Sequence, residues 1–557
     1  MSFLVYIYIL NSYLESLMKK ILFAFLPFLI SCSSKQDADL IIHHAKVYTV
    51  DDKFSIVEAF VIKDGKIIDV GSSDNMLKLY SGKKIDAGGK SVYPGFIDGH
   101  SHFYGYGEGL QNADLTGTKS WEEILGRLKA FSKNNKRDWI VGRGWDQNDW
   151  DVKEFPDNQK LNELFPNTPV ILSRVDGHAA IANKTALEMA GIKPGQLVSG
   201  GEVETVNGRL TGILVDNAEG LVYSKIPDPD KKQMQESLLD AQKNCFAVGL
   251  TSVTDCGIDH SLIPVIDELQ KNNKLKMRIY GMLSDNKGNY DYLFNDGAFK
   301  TDRLNVSSFK VYADGALGSR GACLLQPYSD KTTSSGFLLR DKGHYAEVAQ
   351  SIADKGFQMN THAIGDSANR EILNVYAKVL KGKNDRRWRI EHAQVVNRAD
   401  FKLFGDNNVI PSVQSTHATS DMYWAEDRLG PERVKGAYAF KQLLDQNGWI
   451  ILGTDFPAEN INPMYTFYAA VVRKDMKGYP AKGYQVENAL SREEALRGMT
   501  IWAAKGNFEE KEKGSIEKGK FADFIILDQD IIEADAAGLF KTKVLKTFVN
   551  GENVYSR

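Results

Sequence analysis

Hydrophobic residues recur along the chain in short runs that end in polar residues, and most runs are followed by a segment whose apolar positions have helical spacing. Eight runs show this pattern: VYPGFIDGHSH, GLTSVTDCG, KMRIYGMLS, SSFKVYADG, FQMNTHAIG, RRWRIEHAQ, VIPSVQSTHA and WIILGTDFP. Repeated strand-then-helix units favour a parallel sheet, and eight of them predict an α/β fold with a closed (β/α)₈ barrel of the TIM type. Catalytic residues then belong at the C-terminal ends of these strands.

Two other patterns surround the barrel. Residues 105–246, between the first and second runs, carry strands and helices of their own and predict an inserted domain that caps the active site. Short strand-like segments at both ends of the chain, 39–92 plus 505–557, predict one small β-sandwich domain. The barrel itself is then expected to comprise 93–104 plus 247–504.

The first 38 residues do not read as part of the fold. From Met18 the chain runs MKKILFAFLPFLISCSSKQ, with a basic pair, an apolar run and Cys32 before a polar stretch. This layout resembles a bacterial lipoprotein signal, and the apolar run is short for a spanning helix. We therefore expect residues 1–38 to be signal and linker, with translation starting at Met1 or Met18. Lipid on Cys32 would anchor the protein to a membrane of the bacterial cell envelope, as a periplasmic or outer-membrane lipoprotein. The alternative is an ordinary membrane anchor made of both N-terminal apolar runs.

Composition narrows the function classes. The 557 residues carry a net charge of -3, with 25% charged and 43% hydrophobic residues, which does not indicate nucleic acid as a partner. If Cys32 carries lipid, three cysteines without close spacing remain, and these predict buried free thiols. A small-molecule substrate fits this composition, and a homodimer is left open.

Candidate metal ligands stand at the ends of four predicted barrel strands. His100 and His102 lie two residues apart, so a strand would direct both side chains to one side. His362, His392 and Asp455 end three other strands. Each alone is more often a hydrogen-bonded residue of the rim, but imidazole and carboxylate together suit Zn²⁺ and neighbouring divalent ions. The set predicts a metal centre.

Lys310 lies inside the fourth predicted strand, where a charged ammonium carries a desolvation cost unless it is paired or changed. Two interpretations stay open for Lys310. It pairs with Asp314 or another carboxylate, or it takes part in the metal centre.

The motifs resemble the amidohydrolase superfamily, in its amidohydrolase-3 branch of YtcJ-like and N-substituted formamide deformylase-like proteins. The matching blocks are PGFIDGHSH, VDGHAAIANKTAL, KVYADGALGSR, THAIGDSANR, RIEHAQ, SVQSTHATSDM, GTDFPAENINP and KGSIEKGKFADFIILD. The resemblance implies one or two divalent ions, Zn²⁺ foremost. One ion would bind His100, His102 and Asp455. His362 and His392 would bind the second, and a carboxylated Lys310 would bridge the two.

The same resemblance implies a hydrolase acting on a non-peptide carbon–nitrogen bond, in an amide or N-substituted formamide. A hydroxide on the metal would attack the carbonyl carbon, and Asp455 would act as general acid/base. Asp176, His178, Arg320 and His417 are candidates for substrate contact. For Asp176 the alternative is a turn, for Arg320 a structural ion pair, and for His417 support of the site.

Two other functions are weighed against this one. A deaminase would use one metal held by His100, His102, His362 and Asp455 to attack a heterocycle, and Lys310 argues against it. The second alternative is a surface lipoprotein that binds a ligand without turnover. The presence of all six candidate metal ligands argues against this alternative.

Overall fold

The computed structural model describes residues 7–15, 35–134, 138–147, 150–174, 179–198, 201–216, 218–318 and 320–557. A helix covers 7–15, while the predicted lipoprotein junction with Cys32 lies outside the described residues. Asp176 and His178 also lie outside them. Within the described ranges, no helix combines the length and the apolar content needed to cross a bilayer.

Eight parallel strands form the nearly closed barrel, and each matches one of the predicted runs, so the (β/α)₈ prediction is confirmed. They are β1 (Phe96–Ser101), β2 (Leu250–Ile258), β3 (Arg278–Ser284), β4 (Leu304–Tyr312), β5 (Gln358–Ala363), β6 (Arg389–His392), β7 (Ile410–Gln414) and β8 (Ile451–Gly453). A short strand, Phe299–Lys300, adds to β4 in antiparallel orientation.

Backbone hydrogen bonds join the two ends of the barrel sheet just beyond β1 and β8. The Asp455 N–H donates to the His100 carbonyl at 2.8 Å, and the His102 N–H donates to the Phe456 carbonyl at 2.9 Å. A Cβ on Gly453 would lie 2.4 Å from the His100 nitrogen, so this close approach requires glycine there. We call these contacts the β1–β8 seam.

Helices cover the outside of the barrel and the connections between its strands. The α-helices are Phe103–Leu110, Lys231–Ala247, Ile263–Lys271, Lys287–Asp296, Lys342–Asp354, Asp366–Leu380, Phe401–Asp406, Ser415–Asp421, Ala425–Arg433, Phe440–Asn447, Pro463–Val472, Arg492–Gly498 and Ile501–Gly506. Short 3₁₀ helices are His260–Leu262, Val434–Gly436, Val486–Asn488 and Ala536–Lys541.

The inserted segment builds its own six-stranded sheet. In spatial order its strands are Gly201–Val206, Arg209–Asp216, Ala179–Ala182, Val170–Arg174, Ile140–Trp145 and Ala113–Asp114. Four helices accompany them: Trp121–Asn134, Gln159–Leu164, Lys184–Met189 and Glu219–Tyr223. The next helix, Lys231–Ala247, instead contributes Leu238, Ala241 and Phe246 to the main barrel core. The helix Lys231–Ala247 therefore packs with the barrel and not with the sheet of the insertion.

Both ends of the chain contribute to a small β-sandwich. One sheet has the order Lys66–Gly71, Ala59–Lys63, Gln36–His43 and Tyr80–Asp86, with the helix Ser73–Leu79 beside it. The other has the order Glu552–Ser556, Val544–Val549, Phe524–Leu527, Ser91–Pro94, Lys46–Tyr48 and Ile56–Val57. One apolar cluster holds Ile42 and Phe60 from the first sheet together with Phe524 from the second, which makes the pair of sheets a sandwich.

Candidate metal centre

The six predicted metal ligands converge at the C-terminal mouth of the barrel. His100 is the last residue but one of β1 with His102 just beyond the strand, and Asp455 follows β8 by two residues. The remaining three are Lys310 in β4, His362 in β5 and His392 at the end of β6. Ring centroids are 4.8 Å apart for His100 and His392 and 4.5 Å apart for His362 and His392.

The Asp455 carboxylate lies between two groups of imidazoles. Its Oδ1 is 3.3 Å from His102 Nε2 and 3.6 Å from His100 Nε2. Its Oδ2 is 3.7 Å from His417 Nε2, and the His417 ring stacks on that of His392 at 5.9 Å. Two sets of three donor atoms, each including Asp455, lie within 4.8 Å of one another. Asp455 can therefore contribute a ligand oxygen to either set.

Buried acceptors fix the orientation of two of the histidines. His100 Nδ1 donates to Glu391 Oε2 at 2.5 Å, and His392 Nδ1 donates to Gln414 Oε1 at 2.7 Å. A hydrogen on Nδ1 leaves the Nε2 lone pair free, which is the form of imidazole that binds a metal. Glu391 and Gln414 thus hold both rings ready as ligands.

His362 is neutral and has a free ring nitrogen. Burial, followed by the charge of Lys310, lowers the pKa of His362 from 6.5 to about 3. A backbone hydrogen bond to Gly315 holds the ring, while Nε2 is buried without a hydrogen-bond partner among the described residues. Burial also lowers the pKa of His100 and His392. All three imidazoles are therefore uncharged at neutral pH.

Lys310 belongs to this cluster. Its side chain is fully buried, and Nζ lies 3.3 Å from His100 Nε2. Of the carboxylates considered as partners of Lys310, Asp314 does not pair with it. The Asp314 carboxylate instead accepts the backbone N–H groups of Cys323, Ile364 and Gly365 and so ties the loops after β4 and β5 together.

This donor set fits a divalent metal ion. Burial alone would raise the pKa of Asp455, but the His102, His100 and His392 imidazoles hold it well below its usual range, so the carboxylate is ionised. Asp455 Oδ1 is buried and lacks a hydrogen-bond partner within the described part of the chain, as does His362 Nε2. Unsatisfied buried acceptors are costly, and a cation bound in this cluster would supply a partner that these atoms lack.

The remaining predicted site residues are placed differently. Arg320 donates to Asp330 through Nε at 3.1 Å and Nη2 at 2.8 Å, the ion pair considered as its alternative role. His417 lies beside Asp455, at the metal centre itself. Substrate contact by either residue stays a prediction.

Glu391 and Gln414 were not predicted from the sequence. A signal for Glu391 was present in RRWRIEHAQ, because residues two apart in a strand share a face and Arg389 precedes Glu391 at that spacing. Both are fully buried, with Arg389 Nη1 3.9 Å from Glu391 Oε1. No comparable pattern marks Gln414, whose partner His392 lies on the neighbouring strand.

A (β/α)₈ barrel with imidazole, lysine and carboxylate side chains gathered at its C-terminal mouth has its candidate metal centre where barrel enzymes carry their active sites. The chain belongs to the amidohydrolase family, whose sequence profile matches residues 83–555. This membership agrees with the resemblance seen in the sequence motifs.

Individual relatives are similar over nearly their full length. YtcJ of Bacillus subtilis (strain 168) is 30% identical over 526 residues, covering 92% of this chain and 99% of that protein. N-substituted formamide deformylase of Arthrobacter pascens is 26% identical over 546 residues, which cover 94% of this chain and 99% of that protein. The crystal structure of an uncharacterized metal-dependent hydrolase from Pyrococcus horikoshii OT3 is 29% identical in sequence and superimposes with a TM-score of 0.77. The match covers 89% of this chain and 99% of that structure. The protein is accordingly a metal-dependent hydrolase of the amidohydrolase family.

Proposed function

We propose that this protein hydrolyses a non-peptide carbon–nitrogen bond in a small amide or N-substituted formamide. The observation that carries the proposal is the set of imidazoles on both sides of the ionised Asp455 at the barrel mouth. The similarity to a protein named N-substituted formamide deformylase supports the choice of bond.

One or two divalent ions, Zn²⁺ foremost, would be held by His100, His102, Lys310, His362, His392 and Asp455. The metal, when bound, supplies Lewis acidity that polarises the substrate carbonyl. Asp455 accepts a proton from the attacking water on a carboxylate oxygen and delivers it to the departing amine nitrogen, as a general acid/base. His417 Nε2, 3.7 Å from Asp455 Oδ2, restrains that carboxylate during the transfer.

We also propose that Lys310 is carboxylated. The Lys310 ammonium first gives up one proton; addition of CO₂ to the neutral Nζ then forms an N–C bond and releases a second proton, so that a buried cation becomes an anionic ligand. Support comes from complete burial of the side chain and from the 3.3 Å separation of Nζ and His100 Nε2. An unmodified ammonium among metal ligands would repel the ion.

The test is hydrolysis by protein that has been stripped of metal and reloaded with Zn²⁺, Co²⁺ or Mn²⁺. The substrates are a panel of N-formyl and N-acyl amines, with purines and pyrimidines as a second panel. We expect metal-dependent release of amine from at least one amide or formamide, and loss of that activity in Lys310→Ala.

Lys287→Ala is the matched control, because the Lys287 side chain is 87% exposed on an outer helix. It should retain full activity. Ammonia release from a heterocycle with no turnover of any amide would replace the proposal with a deaminase. A metal-loaded protein inactive on both panels would count against catalysis of either kind.

A further inference from the structure

A second group of metal-binding side chains lies in the small β-sandwich. The strand Gln36–His43 runs parallel to Tyr80–Asp86, with His43 opposite Asp86 in the register. One ring nitrogen of His43, one of His44 and one carboxylate oxygen of Asp86 all lie within 4.8 Å of one another. None of these three residues belongs to the barrel centre.

His43 is the buried member of the group. His43 is only 8% exposed, and its Nδ1 is buried without a hydrogen-bond partner among the described residues. Burial lowers the pKa of His43, although the charge of Asp86 acts in the opposite direction. The ring is therefore neutral and keeps a lone pair that a cation can use.

His44 and Asp86 form the exposed side of the group. His44 Nδ1 lies 3.0 Å from Asp86 Oδ2, and the two side chains are 55% and 56% exposed. Water and ions can reach both donor atoms from solvent. The His43 and His44 rings meet edge to face with centroids 4.6 Å apart, so both rings border the same small space.

Backbone hydrogen bonds hold these residues in place. The His44 N–H donates to Ser73 Oγ at 2.8 Å, and its carbonyl accepts the Gly89 N–H at 2.7 Å. Asp86 Oδ1 accepts the Gly88 N–H at 2.8 Å, which leaves Oδ2 for the group. Donor atoms on a fixed backbone need little rearrangement to bind an ion.

We propose that His43, His44 and Asp86 bind one divalent first-row transition-metal ion of the zinc class, with water completing the coordination. Two imidazoles and one carboxylate suit Zn²⁺ and its neighbours, whereas Mg²⁺ and Ca²⁺ prefer all-oxygen sites. The bound ion joins the end of one strand to the end of its neighbour. It therefore stabilises the sandwich domain, and the stabilisation grows with the logarithm of the free ion concentration once that concentration exceeds the dissociation constant.

The test counts zinc ions bound to full-length, metal-stripped protein, by isothermal titration with Zn²⁺ and elemental analysis. His44→Asn and Asp86→Asn each remove one ligand. Asparagine suits position 44 because the backbone there has a φ of +49°, which asparagine tolerates. The barrel ligands are unchanged in every protein, so a difference in stoichiometry reports on the sandwich alone.

His260→Asn is the matched control. His260 is also a surface histidine near a carboxylate, with Nδ1 3.4 Å from Asp259 Oδ1, but it belongs to no group of three donors within the described ranges. At a free Zn²⁺ concentration that just fills this site in wild type, wild type and His260→Asn should bind more Zn²⁺ than His44→Asn or Asp86→Asn, by up to one equivalent. Because loss of a residue that merely supports a ligand costs 10- to 100-fold in affinity, loss of a ligand should weaken this site at least about tenfold.

Equal zinc stoichiometry in wild type, His44→Asn and Asp86→Asn would overturn the proposal, as would the same loss in His260→Asn. Circular dichroism and unfolding curves of the metal-free proteins establish that the variants are folded. If His44→Asn does not fold, Asp86→Asn decides alone. Hydrolase activity of the barrel centre should be unchanged throughout, so failure of this site leaves the proposed reaction unaffected.

Discussion

Glu391→Gln isolates the contribution of a buried carboxylate to the metal centre. Glu391 accepts a hydrogen bond from His100 Nδ1 and lies near the buried Arg389 guanidinium. Glutamine keeps the size of the side chain but removes its charge. If the amide oxygen of the glutamine faces His100, the hydrogen bond is kept but its acceptor is no longer charged. If the amide NH₂ faces His100, two donors meet and the hydrogen bond is lost.

The pKa of Glu391 gives the expected loss of stability. Burial alone would raise it, yet the contact with His100, which donates a hydrogen bond to the carboxylate, followed by the charge of Arg389, brings it from 4.5 to about 2. At 1.36 kcal/mol per pKa unit, this difference is worth about 3 kcal/mol. Because the folded pKa is depressed, the contribution is complete above pH 4.5 and is lost as pH falls through about 2.

Two measurements at pH 7 test the variant. Urea unfolding of the metal-free proteins should show a loss of about 3 kcal/mol in the free energy of unfolding. Titration of Zn²⁺ against a chromophoric chelator should show a 10- to 100-fold weaker barrel site, the usual effect of removing a partner that orients a ligating histidine. Glu371→Gln is the control, since Glu371 pairs with the exposed Lys342 and such surface pairs contribute at most about 1 kcal/mol.

The two measurements separate the possible roles. A stability loss with unchanged zinc affinity would make Glu391 a partner of Arg389 that does not orient His100. Unchanged stability and unchanged affinity would refute the reasoning altogether.

Three further changes test other residues. Lys310→Ala should lose metal and activity, and short-chain carboxylic acids should restore part of both; an unmodified amine in the mass spectrum of fully active enzyme would contradict the bridging role. Asp455→Asn should lower kcat by at least about 10²-fold while retaining most metal, because general acid/base help is typically worth about 10²- to 10⁴-fold. His362→Ala should instead lower metal content first. A kcat close to that of the parent in metal-replete Asp455→Asn would remove the proton-transfer role. Cys32→Ser should move the protein from the membrane to the soluble fraction, because lipid chains supply the predicted anchor; unchanged membrane retention would argue against lipidation.

The barrel could be predicted from the sequence because a polar residue marks the C-terminal end of each apolar strand. Polar residues such as His362 and His392 follow apolar runs, and parallel strands in a barrel bring their C-terminal ends to one face. Local order along the chain was therefore enough to place the donor residues in one region. The β-sandwich was predictable for a similar reason, since hairpin signals such as Asn550–Gly551 occur at both ends of the chain.

Contacts between side chains on different strands could not be predicted in this way. The sequence does not show that Gln414 would reach His392, or that Asp314 would accept three backbone N–H groups rather than pair with Lys310. These contacts depend on strand register and loop path. The packing of Lys231–Ala247 into the barrel core is a further example, because an amphipathic helix does not specify which of two neighbouring domains covers its apolar face.

The β1–β8 seam gives the metal centre an order of assembly during synthesis. His100 and His102 emerge from the ribosome early, whereas Asp455 emerges after most of the barrel has been made. A growing chain therefore presents imidazoles long before it can offer the carboxylate that completes the first set. The hydrogen bonds from Asp455 to His100 and from His102 to Phe456 form only when the last barrel strand docks. Docking of the last barrel strand therefore also brings the Asp455 carboxylate to the imidazoles, and a chain truncated before Asp455 would lack one donor of both sets.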